Sequence, residues 1–365
     1  MTRYWDLPGP RAFLEMVEDQ IRDGSSVILA QPIHAPASLP DALHALWRDS
    51  GWDTRFVALD DQLPVDTLFD ALGLDGGPDG RRDARELLGR LHQTDIVVVE
   101  DVPPADWPRW RAFADEYERV SRNVDRYERP RLILLARGIA AAALGPPAPA
   151  LKVCVLDAMI SEIDMLVYAD TLLRHGPLTG SRRRLAAAAI ARLAAWDTRV
   201  ADVLGALPVE TLFTPREALA AMAVELGWTA DDVPAWERGT CAVVDGRLHV
   251  HAALLALHDP KSEISLRLWG AQAAIILPLV EQHRRAIVGR IRHRLSMPRV
   301  VDGVSVTDPF HLEVAELGRA AGEAQVDWQI LNRIARLRYV RNQLAHMQLL
   351  TPADAMELEL HAAAS

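Results

Sequence analysis

Near its C-terminus the chain reads Arg338-Tyr339-Val340-Arg341-Asn342-Gln343-Leu344-Ala345-His346, which brings strong bases, an amide and an imidazole close together. Ile334, Leu337, Val340, Leu344 and Met347 recur at three- and four-residue steps, the spacing of one buried face of a helix. At about 100° per residue, Asn342 and His346 lie one turn apart on a common face, with Arg341 at its rim. Such a trio can hold a phosphate with the guanidinium and move a proton with the imidazole. The same residues can also cap helix carbonyls and bond across a helical bundle.

The elements that must carry this trio are helical and locally basic. From Lys261 to His346 there are 13 Lys plus Arg against 8 Asp plus Glu, a net of +5 in a chain whose total is −10. The overall charge argues against a chain that coats nucleic acid or anionic membrane along its whole length. The local excess is either a set of solvated helix faces or a surface for RNA or an acidic partner. Arg336, Arg338, Arg284, Arg285 and Arg290, with Arg292 and Arg294, are its candidate contacts.

At 365 residues, 50% hydrophobic and 25% charged, the composition is that of a folded protein with more than one core. The two cysteines, Cys154 and Cys241, have no Cys or His neighbours at ligand spacing, so neither a disulfide framework nor a zinc site is expected. No metal or cofactor is expected. The N-terminus lacks the apolar core of a signal peptide, and no uninterrupted apolar run reaches the ~18 residues of a membrane span, so a cytoplasmic setting is expected.

Ahead of the helical part, the first half alternates helices with short apolar strands. Helices are expected over Pro10–Arg22, Leu39–Asp49, Arg82–His92 and Trp107–Val120. Strands are expected at Ser26–Ala30, Thr54–Leu59, Asp95–Asp101, Arg131–Ala136 and Lys152–Leu156, with a loop at Asp75–Gly80. Continuous apolar strands alternating with helices predict a parallel sheet covered on both faces. Past Asp157 the pattern turns helical: Ser161–His175, Ser181–Leu204, Pro215–Glu225, Leu248–Leu257, Ile264–Leu295, Phe310–Ala324 and Trp328–Met347. An Asp-Gly turn predicts a hairpin at Cys241–His249. The fold class expected is thus an α/β N-terminal domain followed by an all-α region.

The order of these elements, with Val97-Val98-Val99-Glu100-Asp101 closing a strand, resembles P-loop NTPases of the AAA+ and STAND kind. The resemblance makes Glu100 and Asp101 a vestigial Walker B pair and gives Arg137 the place of a sensor residue. The phosphate grip is missing. A P-loop needs glycines, then Lys and Ser or Thr, yet Gln31-Pro32-Ile33-His34-Ala35-Pro36-Ala37-Ser38-Leu39-Pro40 has no Gly, no Lys and three prolines. The resemblance therefore implies a nucleotide-independent scaffold over residues 1–158, followed by a helical lid or linker over 159–260.

Residues 261–365 resemble the HEPN superfamily of helical bundles, on the strength of Arg341-Asn342-Gln343-Leu344-Ala345-His346. That resemblance implies a metal-independent endoribonuclease with Arg341, Asn342 and His346 as its catalytic set and a homodimer through the bundle. Joined to a degenerate NTPase-like platform, it implies a bacterial antiviral-defence or toxin-like component acting on RNA. The alternative is a non-enzymatic adaptor whose bundle binds a partner protein, with no membrane partner in either case. His34 and His44 beside the first loop are read as lone surface or core histidines, and Trp107, Trp110, Trp228 and Trp236 as packing aromatics with partner binding as the alternative. His249 and His251 are read as alternating strand residues that lack a third ligand for a metal.

Overall fold

The computed structural model describes residues 4–48, 50–77, 79–258 and 261–357, the side chains of residues 261 and 262 excepted. Asp49 at the expected end of the second helix, position 78 in the expected Asp75–Gly80 loop, and residues 358–365 of the last expected region lie outside these. The chain forms two compact units. One comprises residues 1–165, 195–199 and 224–254, the other residues 166–194, 200–223 and 255–365.

The first unit is built on a five-stranded parallel sheet. In chain order it runs α1 (Pro8–Arg22), β1 (Ser26–Gln31), α2 (Leu39–Trp47), β2 (Asp53–Val57), α3 (Pro64–Ala71), α4 (Ala84–Arg90), β3 (Asp95–Val102), α5 (Trp107–Ser121), β4 (Arg131–Arg137) and β5 (Leu151–Val155). The spatial order is β2-β3-β4-β1-β5, every neighbouring pair parallel. From β1 the chain crosses to the far edge, then returns strand by strand through β4 and past β1 to β5. Because parallel crossovers are right-handed, this reversal puts helices on opposite faces of the sheet. One face packs α1 and α2 through Phe13, Val17, Ile21, Leu39, Leu43 and Trp47. The other packs α3, α4 and α5 through Leu68, Phe69, Leu87, Trp107, Trp110 and Tyr117. Strands buried on both sides need apolar residues at every position, which is why Val27–Ala30 and Ile96–Val99 read as unbroken runs. The reversal also fixes where a ligand crevice would open: at the C-terminal end of β1.

After the sheet come α6 (Glu162–Leu173), α7 (Gly180–Ala194), α8 (Thr198–Gly205), α9 (Val209–Leu212) and α10 (Arg216–Glu225), then the hairpin β6 (Cys241–Val244) and β7 (Arg247–Val250), and α11 (Ala252–His258). The helix expected over Ser181–Leu204 is broken in two. Ala195 takes a left-handed φ of 56°, and the Asp197 carboxylate accepts the Arg199 N–H at 2.9 Å as a new helix start. The expected hairpin forms, with Asp245 and Gly246 both at positive φ as a two-residue turn of this hand requires. The expected Leu248–Leu257 helix instead starts at Ala252, after the strand.

The second unit contains a long central helix, α12 (Lys261–Ile291), a small hairpin β8 (Arg299–Val301) and β9 (Val304–Val306), then α13 (Val314–Glu323), α14 (Trp328–Ala345) and α15 (Pro352–Glu357). The hairpin occupies what reads in the sequence as a plain Ser296–Pro309 loop. Within this unit α12 packs against α7 and α14, and α14 against α13. Ile334, Leu337, Val340 and Leu344 of α14 are all buried, so the three-and-four spacing is the packing face. One stretch among the described residues, Glu263–Arg294, is long and apolar enough to cross a membrane by length and composition. A reading that stops at each charge misses it. It is the central helix of the bundle, and it carries Arg267 and Arg284 with side chains only 7% and 8% exposed.

Candidate functional site

Helix α14 positions the Arg-Asn-x-x-x-His segment. Asp327 caps its start, accepting the Gln329 N–H at 2.7 Å. Its end is closed by the His346 N–H to Asn342 O at 3.0 Å and the Met347 N–H to Leu344 O at 3.1 Å, with Met347 left-handed. Two contacts then pin this end to α12. Trp269 Nε1 donates to Leu344 O at 2.8 Å. Gln272, wholly buried, donates to Leu350 O at 3.1 Å and accepts the Leu350 N–H at 2.9 Å. The motif therefore stands on a fixed helix end, although His346 itself is exposed and Asn342 half-buried.

The three expected catalytic residues do not share one surface within the chain. Asn342 and His346 are four residues apart and about 40° apart around the helix, whereas Arg341 and His346 are separated by about 140°. Arg341 instead lines a groove of about 430 Å³, together with Leu277, Val280, Phe310, Leu312 and Glu313. His346 is not among the residues of that groove. There Arg341 Nη2 meets Glu313 Oε2 at 2.9 Å, a pair whose side chains are 43% and 69% exposed. On the groove wall Arg284 is buried and fully engaged. It donates to Phe310 O at 2.8 Å and Leu312 O at 2.7 Å and is clamped by both oxygens of Glu281. These hydrogen bonds hold the Glu281 carboxyl below its usual range.

The other arginines singled out in the sequence have divided roles. Arg285 lies 5.4 Å from the centre of the Phe310 ring. Arg336 pairs with Asp354 and lies over Tyr339. Arg294 donates to Ala324 O and Gln325 O. Arg290, Arg292 and Arg338 are exposed.

The other place singled out in the sequence, there as a scaffold without a phosphate grip, is the crevice at the end of β1. Here Asp101 and Arg137 come together, whereas Glu100, half-buried near the end of β3, is not part of this contact. Asp101, at a left-handed φ of 50°, accepts Gln31 Nε2 at 3.3 Å and Arg137 Nη1 at 3.0 Å. Arg137 also donates to Ile33 O at 3.1 and 2.9 Å. The loop that follows β1 is covered by the chain itself: Ile33 N–H bonds Glu237 O at 2.8 Å, and Arg199 Nη2 donates to His34 O at 3.1 Å. Approach is so close that a Cβ on Gly239 would lie 2.9 Å from His34 O, and one on Gly138 2.4 Å from Ile33 Cγ1. Both glycines have positive φ, so the positions demand glycine twice over.

Behind this loop sits a buried cluster that the sequence reading missed. Asp197 is 1% exposed and accepts Arg199 through both oxygens as well as His251 Nε2 at 3.1 Å. Burial alone would push its carboxyl up; the hydrogen bonds from His251 and Arg199 override that and hold it far below the usual carboxylate range. His251 Nδ1 accepts the Ala253 N–H at 3.1 Å, which places the ring proton on Nε2, facing Asp197. Trp196 and Trp228 stand edge-on to the same ring at 5.4 and 4.8 Å. His251 is thus a packed structural imidazole. Its partner was legible only as Trp196-Asp197-Thr198-Arg199 inside an apparent helix.

No model of a known protein family matches the chain, and neither does any curated protein.

Proposed function

We propose that the protein is an RNA-directed factor in which a nucleotide-independent α/β platform carries a helical bundle that cleaves RNA without a metal. His346 is its acid/base group, Arg341 its phosphate clamp, and Asn342 a positioning donor. One observation carries this reading: His346 is held at a pinned helix end, exposed, one turn from Asn342, with no internal partner for its ring among the described residues. In the reaction the 2′-hydroxyl oxygen bonds phosphorus as His346 takes its proton. The P–O5′ bond then breaks and the 5′-oxygen is protonated by the imidazolium, leaving a 2′,3′-cyclic phosphate and a 5′-hydroxyl. A guanidinium near the non-bridging oxygens stabilises the charge of that transition state. Because Arg341 and His346 diverge around α14, the complete set requires either swinging of the long Arg341 side chain or a second copy of the bundle.

The crevice of the first unit supports the nucleotide-independent half of this reading. Arg137, Arg199 and Asp101 are already engaged by the chain, and residues 31–40, from the end of β1 onward, contain no lysine and no glycine. Addition of ATP with magnesium is expected to leave the melting temperature unchanged; a rise of several degrees would overturn this half.

A second reading, a non-enzymatic adaptor that binds a partner protein through the bundle, is favoured by the Arg341–Glu313 contact and the same divergence. Incubation of the purified protein with a mixed RNA pool in chelator separates the two. The ribonuclease reading expects cleavage that falls about 10²- to 10⁴-fold in His346→Ala, the span of one acid/base group. Intact RNA, with stable capture of a protein partner, would leave the adaptor.

A further inference from the structure

The groove beside Arg341 combines apolar, aromatic and charged side chains in one lining. It is lined by Leu277, Val280 and Leu312 together with Phe310, whose ring has the Arg285 guanidinium 5.4 Å from its centre, and by Glu313. About 430 Å³ falls within the range of small-molecule sites, enough for one unstacked nucleotide. Proteins that read single-stranded RNA take such a base onto an aromatic face and its phosphate onto a guanidinium. Of the charged groups here, Arg284 and Glu281 are locked to each other and to backbone carbonyls, so they are not available to a ligand. Arg341 and Glu313 differ: the contact between them is exposed on both sides, the kind of pair that contributes little and exchanges readily. The net +5 of residues 261–346 decides which partner an incoming molecule replaces, favouring an anion at Arg341 over a cation at Glu313.

The geometry points to this groove as the binding site for one splayed nucleotide of single-stranded RNA, with the Glu313 carboxylate occupying Arg341 until a phosphate displaces it. The base packs on Phe310 and the apolar side chains of the lining, and the displaced Glu313 returns to solvent. This rests on the reading of the bundle as RNA-directed, but it assigns a recognition pocket and a guarding carboxylate that cleavage does not require.

The test is fluorescence anisotropy of the full chain with a labelled single-stranded 12-mer of uridylate, in chelator at low temperature. Glu313→Gln is expected to tighten binding roughly two- to five-fold, the span of an exposed ion pair. Phe310→Ala should weaken it about five- to a hundred-fold through lost stacking. Arg341→Ala should weaken binding and lower the salt slope by about 0.7, one phosphate contact on a single strand. Shifts of opposite sign in Glu313→Gln and Phe310→Ala cannot both come from misfolding. Unchanged or weaker binding in Glu313→Gln overturns the guard, and indifference to Phe310→Ala overturns the pocket, even if the wild type still cuts RNA. Tight binding that responds as expected, without any cleavage, would uphold the pocket and sink the ribonuclease. No RNA binding by wild type or Glu313→Gln would sink both.

Discussion

Two places in this molecule gather arginine and carboxylate around a backbone turn, and they are finished differently. At the end of β1, Arg137 holds Asp101 and the Ile33 carbonyl, and Arg199 holds Asp197 and the His34 carbonyl. Each guanidinium is engaged in more than one direction, and Gly138 and Gly239 bring the backbone up close. In the bundle groove Arg284 is saturated in the same way, but Arg341 has one exposed carboxylate at 2.9 Å. A guanidinium with several fixed acceptors is a structural strut, because each added bond fixes its orientation, even where, as at Arg137, the side chain is as exposed as that of Arg341. One with a single solvent-washed partner is a contact waiting for exchange. The difference between scaffold and site lies in how many acceptors the chain itself provides.

The largest test of this contrast is Asp197→Ala. It strips Arg199 of its carboxylate and leaves the His251 N–H unpaired in a fully buried place. A loss of about 3 to 5 kcal/mol in denaturant unfolding of the first unit is expected; a loss under 1 kcal/mol would show that the cluster is not a strut. Because this carboxyl is held below its unfolded-state value, its contribution is complete above about pH 4 and disappears as pH falls through the lower folded value.

Gln272→Ala should come next, at about 2 kcal/mol, since it removes both partners of the Leu350 backbone. Hydrogen exchange at residues 344–350 should speed up with it; unchanged protection there would mean that α12 does not fix the end of α14.

A smaller effect is expected at His34. Burial, then the charges of Arg199, Arg137 and Arg238, lower its pKa. Below about pH 6.5 the unfolded chain takes up a proton that the folded one resists, so stability falls with pH from there until the lowered folded value is passed. His34→Gln should flatten that part of the stability-pH curve. An identical curve in the variant would place the titration elsewhere.

Smallest of all is Arg341→Ala, expected to change unfolding stability by less than about 1 kcal/mol. A larger loss would move Arg341 into the class of struts and remove the contrast altogether.

Much of this was written locally in the chain. The unbroken runs Val27–Ala30 and Ile96–Val99 state a sheet buried on both faces, and the spacing of Ile334, Leu337, Val340 and Leu344 states a packed helix, because burial periodicity is a property of neighbouring residues. The absence of Gly and Lys from residues 31–40 is likewise a local fact of the chain. The break at Asp197 was hidden, since its capping role competes with strong helix formers on both sides. So was the β8–β9 hairpin, whose three-residue strands leave almost no alternation to read.

What only the tertiary structure decided is who meets whom. Sequence put Arg341, Asn342 and His346 in one short segment; the fold turned Arg341 toward Phe310 and Glu313, and left His346 on another side of the helix end. It also brought Asp197 to His251, and Arg137 to Ile33, across long stretches of chain. Helical phase and strand burial follow from residues within a turn of each other, but a side chain's partner depends on which surfaces the packed elements bring together, and that is settled by the whole chain.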